Sequence, residues 1–209
     1  MSCWAVVALK SSAEAKGRLA EVLTVEQRVR LARLMFDNVI NALRHAQDID
    51  NIAVITPETP ETLTLEPGIT LLKDPGGDLN DAFSHAAQLL TQRGARELLV
   101  LPADLPLLSG VEINELIRRG RQGGLAIAPD KQSLGTNAVF VTLPTAFRFH
   151  FGLRSFIKHQ AEAAAHGINA QLVALPGLAF DIDEPQDLDM LLAQSSERYT
   201  FLRQALKRT

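Results

Sequence analysis

Seven short apolar runs punctuate the chain, each the length of a strand: Trp4–Leu9, Ile52–Ile55, Ile69–Leu72, Leu98–Leu101, Leu125–Ala128, Ala138–Val141 and Gln171–Leu175. Most are apolar without alternation, the pattern of strands covered on both faces in a largely parallel sheet. Between them lie stretches with helical spacing. From Val25 to Ala46, the residues Val29, Ala32, Met35, Phe36, Val39, Ile40 and Leu43 form one stripe at three- and four-residue steps. Asp78 to Arg93 and Ser109 to Arg121 carry similar stripes and open on the capping residues Asp78 and Ser109, and Phe156 to His166 is a further helix. Strands alternating with helices predict an α/β fold, a three-layer αβα sandwich with crossover connections. Ligands in such a fold bind beyond the carboxyl ends of the strands.

Length and composition narrow the class. The 209 residues suit one domain: residues 1–194 form its body, and residues 195–209, with Tyr199, Phe201, Leu202 and Leu206, read as a C-terminal helical extension that packs on the body or on a partner in a homodimer. The one cysteine, Cys3, excludes an internal disulfide, fits a reducing cytoplasmic setting and reads as a small core residue. The apolar start lacks a signal-peptide pattern, and no run reaches membrane-spanning length, so no membrane partner is expected. A net charge of −3 without a basic block argues against nucleic acid as a partner.

Five segments carry candidate chemistry. After the first strand, Lys10, Lys16 and Arg18, with Gly17 between the last two, suit a triphosphate, because lysine offers a point charge and arginine a two-pronged fork. A solvated loop with incidental basic residues is the rival. After the Leu98–Leu101 run, Asp104 stands between Pro102 and Pro106 with no obvious basic neighbour. It reads as a metal ligand at a strand end, with helix capping as the alternative, although Ser109 is better placed to cap. In Asp181-Ile182-Asp183-Glu184-Pro185 an extended chain turns both aspartates to one face. Adjacent carboxylates repel unless a cation lies between them, and magnesium favours such oxygen ligands. Pro185 then fits the first turn of a helix, with Asp183 or Glu184 near its cap.

The fourth segment, Asp130 to Ala138, is a polar turn containing Gly135 and Thr136 that enters a strand. In the fifth, Gly152, Arg154 and Ser155 at a helix start could supply amides, a charge and a hydroxyl to an anion. Ordinary turn and N-cap duty for Thr136 and Ser155 competes with that reading. His159 lies one turn beyond Ser155 and reads as a surface histidine.

Together these blocks resemble the 2-phospho-L-lactate guanylyltransferase family of coenzyme F-420 biosynthesis, which is related to the molybdopterin-type nucleotidyltransferases. The matching residues are Lys16-Gly17-Arg18-Leu19, Asp78-Leu79-Asn80-Asp81-Ala82, Leu101 through Leu108 around Asp104, Gly135-Thr136-Asn137-Ala138, Phe151-Gly152, Ser155-Phe156 with His159, and Asp181 through Leu188. The resemblance implies a Rossmann-like, GT-A-like nucleotidyltransferase fold with a mixed, mostly parallel sheet. It also implies guanylyl transfer from GTP onto a three-carbon phospho-acid (2-phospholactate, phosphoenolpyruvate or 3-phosphoglycerate) with release of pyrophosphate. Its small-molecule substrates would be GTP and the phospho-acid. By position, Asp104, Asp181 and Asp183 would hold Mg2+, Thr136, Gly152 and Ser155 would bind the acceptor, Lys10, Lys16 and Arg18 would meet the triphosphate, and Asn80 would join the nucleotide pocket. Lys16, Arg18 and Asp104 would carry the catalysis. An acceptor phosphate is already anionic, so the reaction needs positioning and positive charge rather than a general base.

The chain departs from the family pattern at Gly17, where a hydroxyl residue is common, at Gln132-Ser133-Leu134, where glycines are more frequent, and at Arg154, which replaces a usual glycine. Rival functions are a cytidylyl- or uridylyltransferase acting on another phosphorylated acceptor, a GT-A-like glycosyltransferase with Asp181 and Asp183 as its acidic pair, and a non-catalytic nucleotide-binding module.

Overall fold

A computed structural model describes residues 2–9, 16–59, 63, 65–194 and 197–203. Seven strands form one sheet: β1 (Cys3–Ala8), β2 (Asn51–Thr56), β3 (Ile69–Lys73), β4 (Glu97–Pro102), β5 (Leu125–Pro129), β6 (Thr136–Thr142) and β7 (Gln171–Leu172). Their order is β3-β2-β1-β4-β6-β5-β7. β1, β2, β3 and β4 run parallel, whereas β6 is antiparallel to both β4 and β5.

That reversal matters for function. A strand running against its neighbours begins where they end, so Thr136 at the start of β6 lies at the same rim as the carboxyl ends of β1, β4 and β5. The expected strand over 171–175 shrinks to two residues at the sheet edge, although the Val173 amide still reaches Ile127 O at 3.0 Å. Pro176 then opens the short helix α5 (Pro176–Ala179), where a proline costs no helical hydrogen bond.

The other helices are α1 (Val25–His45), α2 (Leu79–Gln92), α3 (Gly110–Gly123), α4 (Ser155–Ala165) and α6 (Pro185–Gln194). Thr24, Asp78 and Ser109 cap α1, α2 and α3 with reciprocal side-chain bonds to Gln27, Asp81 and Glu112. α1 and α3 cover one sheet face through residues such as Phe36, Leu43, Ile113 and Leu116, while α2 and α4 cover the other through Phe83, Leu90 and Ala163. Successive β1 residues divide accordingly, Ala5 and Val7 to the first face and Val6 to the second. Each fully buried aliphatic side chain contributes about 1.5–3 kcal/mol. In α1 the buried stripe begins at Leu31 rather than Val29, which is 37% exposed.

A third apolar cluster gathers Leu19 and Leu23, Leu31 and Met35 of α1, Phe180, Ile182, Leu188 and Leu191 of α6, Tyr199 and Leu202. The segments around Arg18 and Asp181 therefore share a core with the chain's last described residues. Of the expected C-terminal helix, the described part is a 3-10 turn, Glu197–Tyr199, with residues 200–203 after it; residues 195–196 and 204–209, including Leu206, lie outside the described residues, as does Lys10. Cys3 is buried, as expected. No helix among the described residues is long and apolar enough to cross a membrane.

Candidate active site

β1 and β4 are neighbours, with Ala8 opposite Pro102, so the segments leaving the two strands meet at the rim. After β1 comes Lys16, whose backbone is left-handed at φ 52°, a conformation that costs a non-glycine residue roughly 1–2 kcal/mol. After β4 comes Asp104. Lys16 Nζ donates to Asp104 Oδ2 at 2.6 Å and to Asp183 Oδ1 at 3.3 Å. Asp104 thus has a basic neighbour after all, one that lies 88 residues away in sequence.

Burial opposes the charge on Lys16, but the carboxylates of Asp104 and Asp183 outweigh it and hold its pKa above the usual lysine value. Arg18 stands further out, 3.4 Å from Asp183 and 3.8 Å from Glu184, and is mostly solvated. Exposed pairs of this kind contribute little to stability, which leaves the guanidinium free to turn to a ligand.

Ile182 is fully buried in the third cluster, so the extended chain turns Asp181 and Asp183 toward the rim. Burial, and then the charges of Asp104 and Asp183, push Asp181 up to about 6. Asp104 Oδ1 is buried without a hydrogen-bond partner. The three carboxylates converge, yet among the described residues no group of three His, Cys, Asp or Glu is drawn together as a ready cage, and the Lys16 ammonium stands between two of them.

Each segment of the site is pinned through its main chain. Asn38 of α1 donates to Leu105 O and Leu108 O, both at 3.2 Å, securing the loop after Asp104. Asn137 donates to Leu178 O at 3.0 Å, and Glu112 accepts from the Gly177 amide at 2.6 Å, securing the approach to Asp181. Asp187 Oδ2 accepts from the amides of Asp183 and Glu184, both at 2.8 Å. α6 begins at Pro185, as expected, with Glu184 directly before it, and Asp187 holds the amides of that start.

Lys131, on the turn between β5 and β6, pairs with the buried Asp187 and donates to Asp181 O at 3.2 Å. Sequence reading gave neither Lys131 nor Asp187 a role. The turn pattern around Asp130 and the aspartate two residues past Pro185 were the signals available.

Of the expected acceptor residues, Thr136 stands at the start of β6, Gly152 on the approach to α4 and Ser155 at its start. Thr136 and Ser155 are buried, and Gly152 is exposed with φ 113°, a backbone value that favours glycine. Neither Thr136 nor Ser155 caps a helix: Thr136 opens β6, and Ser155 is the first residue of α4, whose cap position is Arg154. His159 is not on the surface. It is fully buried, its Nδ1 is 3.0 Å from Thr136 Oγ1, and its Nε2 accepts from the His150 amide at 2.8 Å. Burial, and then neighbouring His150, push its pKa down to about 3, so the ring is neutral. An Nε2 that accepts leaves the proton on Nδ1, directed at Thr136.

Ser133 and Arg154 both take left-handed backbone, at φ 55° and 54°. Glycine would take that conformation at no steric cost.

A cavity of about 1180 Å³ opens at the carboxyl ends of β1, β2 and β3. Leu9, Thr56, Lys73, Gly76, Asn80 and Gly152 are among its lining residues. Gly152 lines the cavity, and its carbonyl accepts from the Ser155 amide at 3.1 Å. Asn80 borders the cavity, but its side chain is engaged with backbone: Oδ1 accepts from the Phe151 amide at 2.6 Å, and Nδ2 donates to Phe151 O at 3.2 Å.

A nucleotide-sized cavity, a basic loop and converging carboxylates at a strand rim suit nucleotidyl transfer, and comparison with known proteins decides the family. Residues 3–207 match the family described as Guanylyl transferase CofC like. The chain belongs to that family. It is 37% identical to a phosphoenolpyruvate guanylyltransferase of Sphaerobacter thermophilus, over 91% of this chain and 93% of that protein. Among solved structures, it superposes with a TM-score of 0.79 on a nucleotide-diphospho-sugar transferase of Desulfovibrio desulfuricans, at 16% identity over 98% of this chain and 95% of that one. It superposes with a TM-score of 0.60 on a 4-diphosphocytidyl-2C-methyl-D-erythritol synthase of Anaerococcus prevotii, at 10% identity over 97% and 96% of the two chains. The fold is that of nucleotidyltransferases, and the CofC-like chain is an enzyme of this class.

Proposed function

We propose that this CofC-like guanylyltransferase moves GMP from GTP onto the phosphate of a three-carbon phospho-acid, with phosphoenolpyruvate the preferred acceptor, and releases pyrophosphate, a step of coenzyme F-420 biosynthesis. The observation that carries the reading is Lys16 held between Asp104 and Asp183 where the segments leaving β1 and β4 meet. The acceptor preference is drawn from the name of the similar Sphaerobacter protein.

An acceptor phosphate oxygen attacks the α-phosphorus of GTP, a new P–O bond forms, and the bond from that phosphorus to the β-phosphate oxygen breaks. Electrons and charge leave with pyrophosphate. The attacking oxygen carries no proton that must be removed, which agrees with a neutral, structurally committed His159. This chain supplies alignment and positive charge. Lys16 and Arg18 meet the phosphates, Thr136, Ser155 and the backbone at Gly152 orient the acceptor, and the cavity at β1–β3 takes the nucleoside.

The carboxylates fit a divalent cation such as Mg2+. Asp104 presents a buried oxygen without a partner, and Asp181 is pushed up to about 6 by burial and then by the charges of Asp104 and Asp183; a cation would partner the oxygen and offset the charges. Asp104, Asp181 and Asp183 would hold it. When bound, the ion would neutralise charge on the phosphates. Lys16 would then give up its carboxylate contacts for phosphate.

The test is pyrophosphate release with GTP and each of phosphoenolpyruvate, 2-phospholactate and 3-phosphoglycerate, with CTP and UTP in parallel. Release should require GTP plus one phospho-acid. Equal release with CTP, or release with no acceptor, would overturn the reading.

A further inference from the structure

Outside the three carboxylates, the most buried ion pair at the rim joins the turn that precedes Thr136 to the segment that bears Asp181 and Asp183. We infer that Lys131 and Asp187 are positioning residues that fix the main chain at 181–184, so that Asp181 and Asp183 face the cation and stay in register with the acceptor turn. The inference rests on the proposed guanylyl transfer and deepens it.

Residues 180–183 lie outside any helix or strand, so no sheet ladder sets their course. Their order comes from side chains. Asp187 Oδ2 accepts both the Asp183 and Glu184 amides at 2.8 Å, two donors that the start of a helix would otherwise leave without an acceptor. That leaves a carboxylate buried to 3% exposure, which needs a cation close by.

Lys131 supplies it from 56 residues away, bonding Asp187 Oδ1. The same ammonium donates to Asp181 O at 3.2 Å and lies 3.9 Å from Asp181 Oδ1. Nζ also stands 5.5 Å from the centre of the Phe180 ring. These contacts all tie the ammonium to residues 180–187.

The turn that presents Lys131 is itself rigid. Asp130 accepts from the amides of Gln132, Leu134 and Gly135 at 3.1, 2.9 and 2.8 Å, and Thr136 comes directly after. A chain of short contacts therefore runs from the acceptor turn through Lys131 and Asp187 to the two rim carboxylates. An ion pair needed only to start α6 would not have to reach Asp181. Outer partners of this sort set the affinity of a metal site, and losing one typically costs about 10–100-fold.

Mn2+ alone serves as the probe, its binding to the whole chain read by electron paramagnetic resonance, with thermal melts alongside. Lys131→Met and Asp187→Asn should each weaken Mn2+ binding by about 10-fold or more, and Lys131→Arg should restore most of it. Should Lys131→Met fail to fold, Asp187→Asn decides, because it keeps the side-chain shape while removing the charge. A folded variant with a lowered melting temperature and unchanged Mn2+ affinity overturns the inference, leaving the pair a helix anchor. Asp104→Ala separates the two claims. If it weakens Mn2+ binding while the Lys131 and Asp187 variants do not, only the positioning role fails. If the wild-type chain binds Mn2+ no better than Asp104→Ala, the cation reading fails and the inference with it.

Discussion

Lys16 Nζ lies 2.6 Å from Asp104 Oδ2, bridging two rim segments that are 88 residues apart. The same ammonium reaches Asp183 at 3.3 Å, so a cation of the protein's own stands among the carboxylates that would hold a metal. A bound metal and Lys16 compete for those oxygens, because both neutralise the same charge. Lys16→Ala should therefore bind Mn2+ more tightly than wild type in the absence of substrates, while its kcat/KM for GTP falls by roughly 100-fold or more. Weaker Mn2+ binding in the folded variant would contradict this competition.

Asn80 fastens the start of α2 to Phe151 through two hydrogen bonds, next to Gly152. Removing its side chain leaves the Phe151 amide and carbonyl without these partners, at about 1–3 kcal/mol, and loosens the acceptor loop. Asn80→Ala should lower the melting temperature and raise KM for the phospho-acid by more than KM for GTP. Steady-state kinetics with each substrate varied decides it: the opposite order would make Asn80 chiefly a nucleotide contact.

Arg154 holds the left-handed position at the start of α4 with its side chain exposed. Arg154→Gly should cost no stability, since glycine takes that backbone freely, yet should raise KM for the acceptor as a cation beside its carboxylate is lost. An unchanged acceptor KM would remove Arg154 from the site.

His159 makes a pH prediction with a definite sign. Its folded pKa of about 3 lies below the ordinary histidine value of 6.5, so the unfolded chain binds a proton that the folded chain refuses. The stability held above pH 6.5 is then lost as pH falls toward 3, at up to about 1.4 kcal/mol per pH unit from this group. Melts between pH 6.5 and 5 should show the loss, and His159→Gln should flatten that slope while lowering stability at neutral pH. An equal slope in the variant would mean that the imidazole is not what the fold keeps neutral.

Much of this arrangement was legible in the chain. The doubly covered strands β1, β2, β4 and β5 announced themselves as unbroken apolar runs, and Asp78 and Ser109 marked the helix starts they cap. The rim position of Asp104, and of Asp181 and Asp183 about buried Ile182, came from strand-end placement and a two-residue period. The rest depended on contacts between distant residues. Nothing near Asp104 in sequence predicts Lys16 beside it. The burial of His159 depends on Phe147 and Phe151, which pack around its ring, and its spacing along α4 is equally consistent with a surface place. Lys131 and Asp187 each look like ordinary surface charges until the fold brings them together. The edge strand expected over 171–175 keeps two paired residues, Gln171 and Leu172, against β5, before Pro176 opens α5.

The most direct test compares wild type with Asp104→Ala in pyrophosphate release from GTP and phosphoenolpyruvate at saturating Mg2+. Wild type should release pyrophosphate only with both substrates and the metal present, and the folded variant should fall by roughly 1000-fold or more. Release by Asp104→Ala at the wild-type rate would contradict the account at its centre.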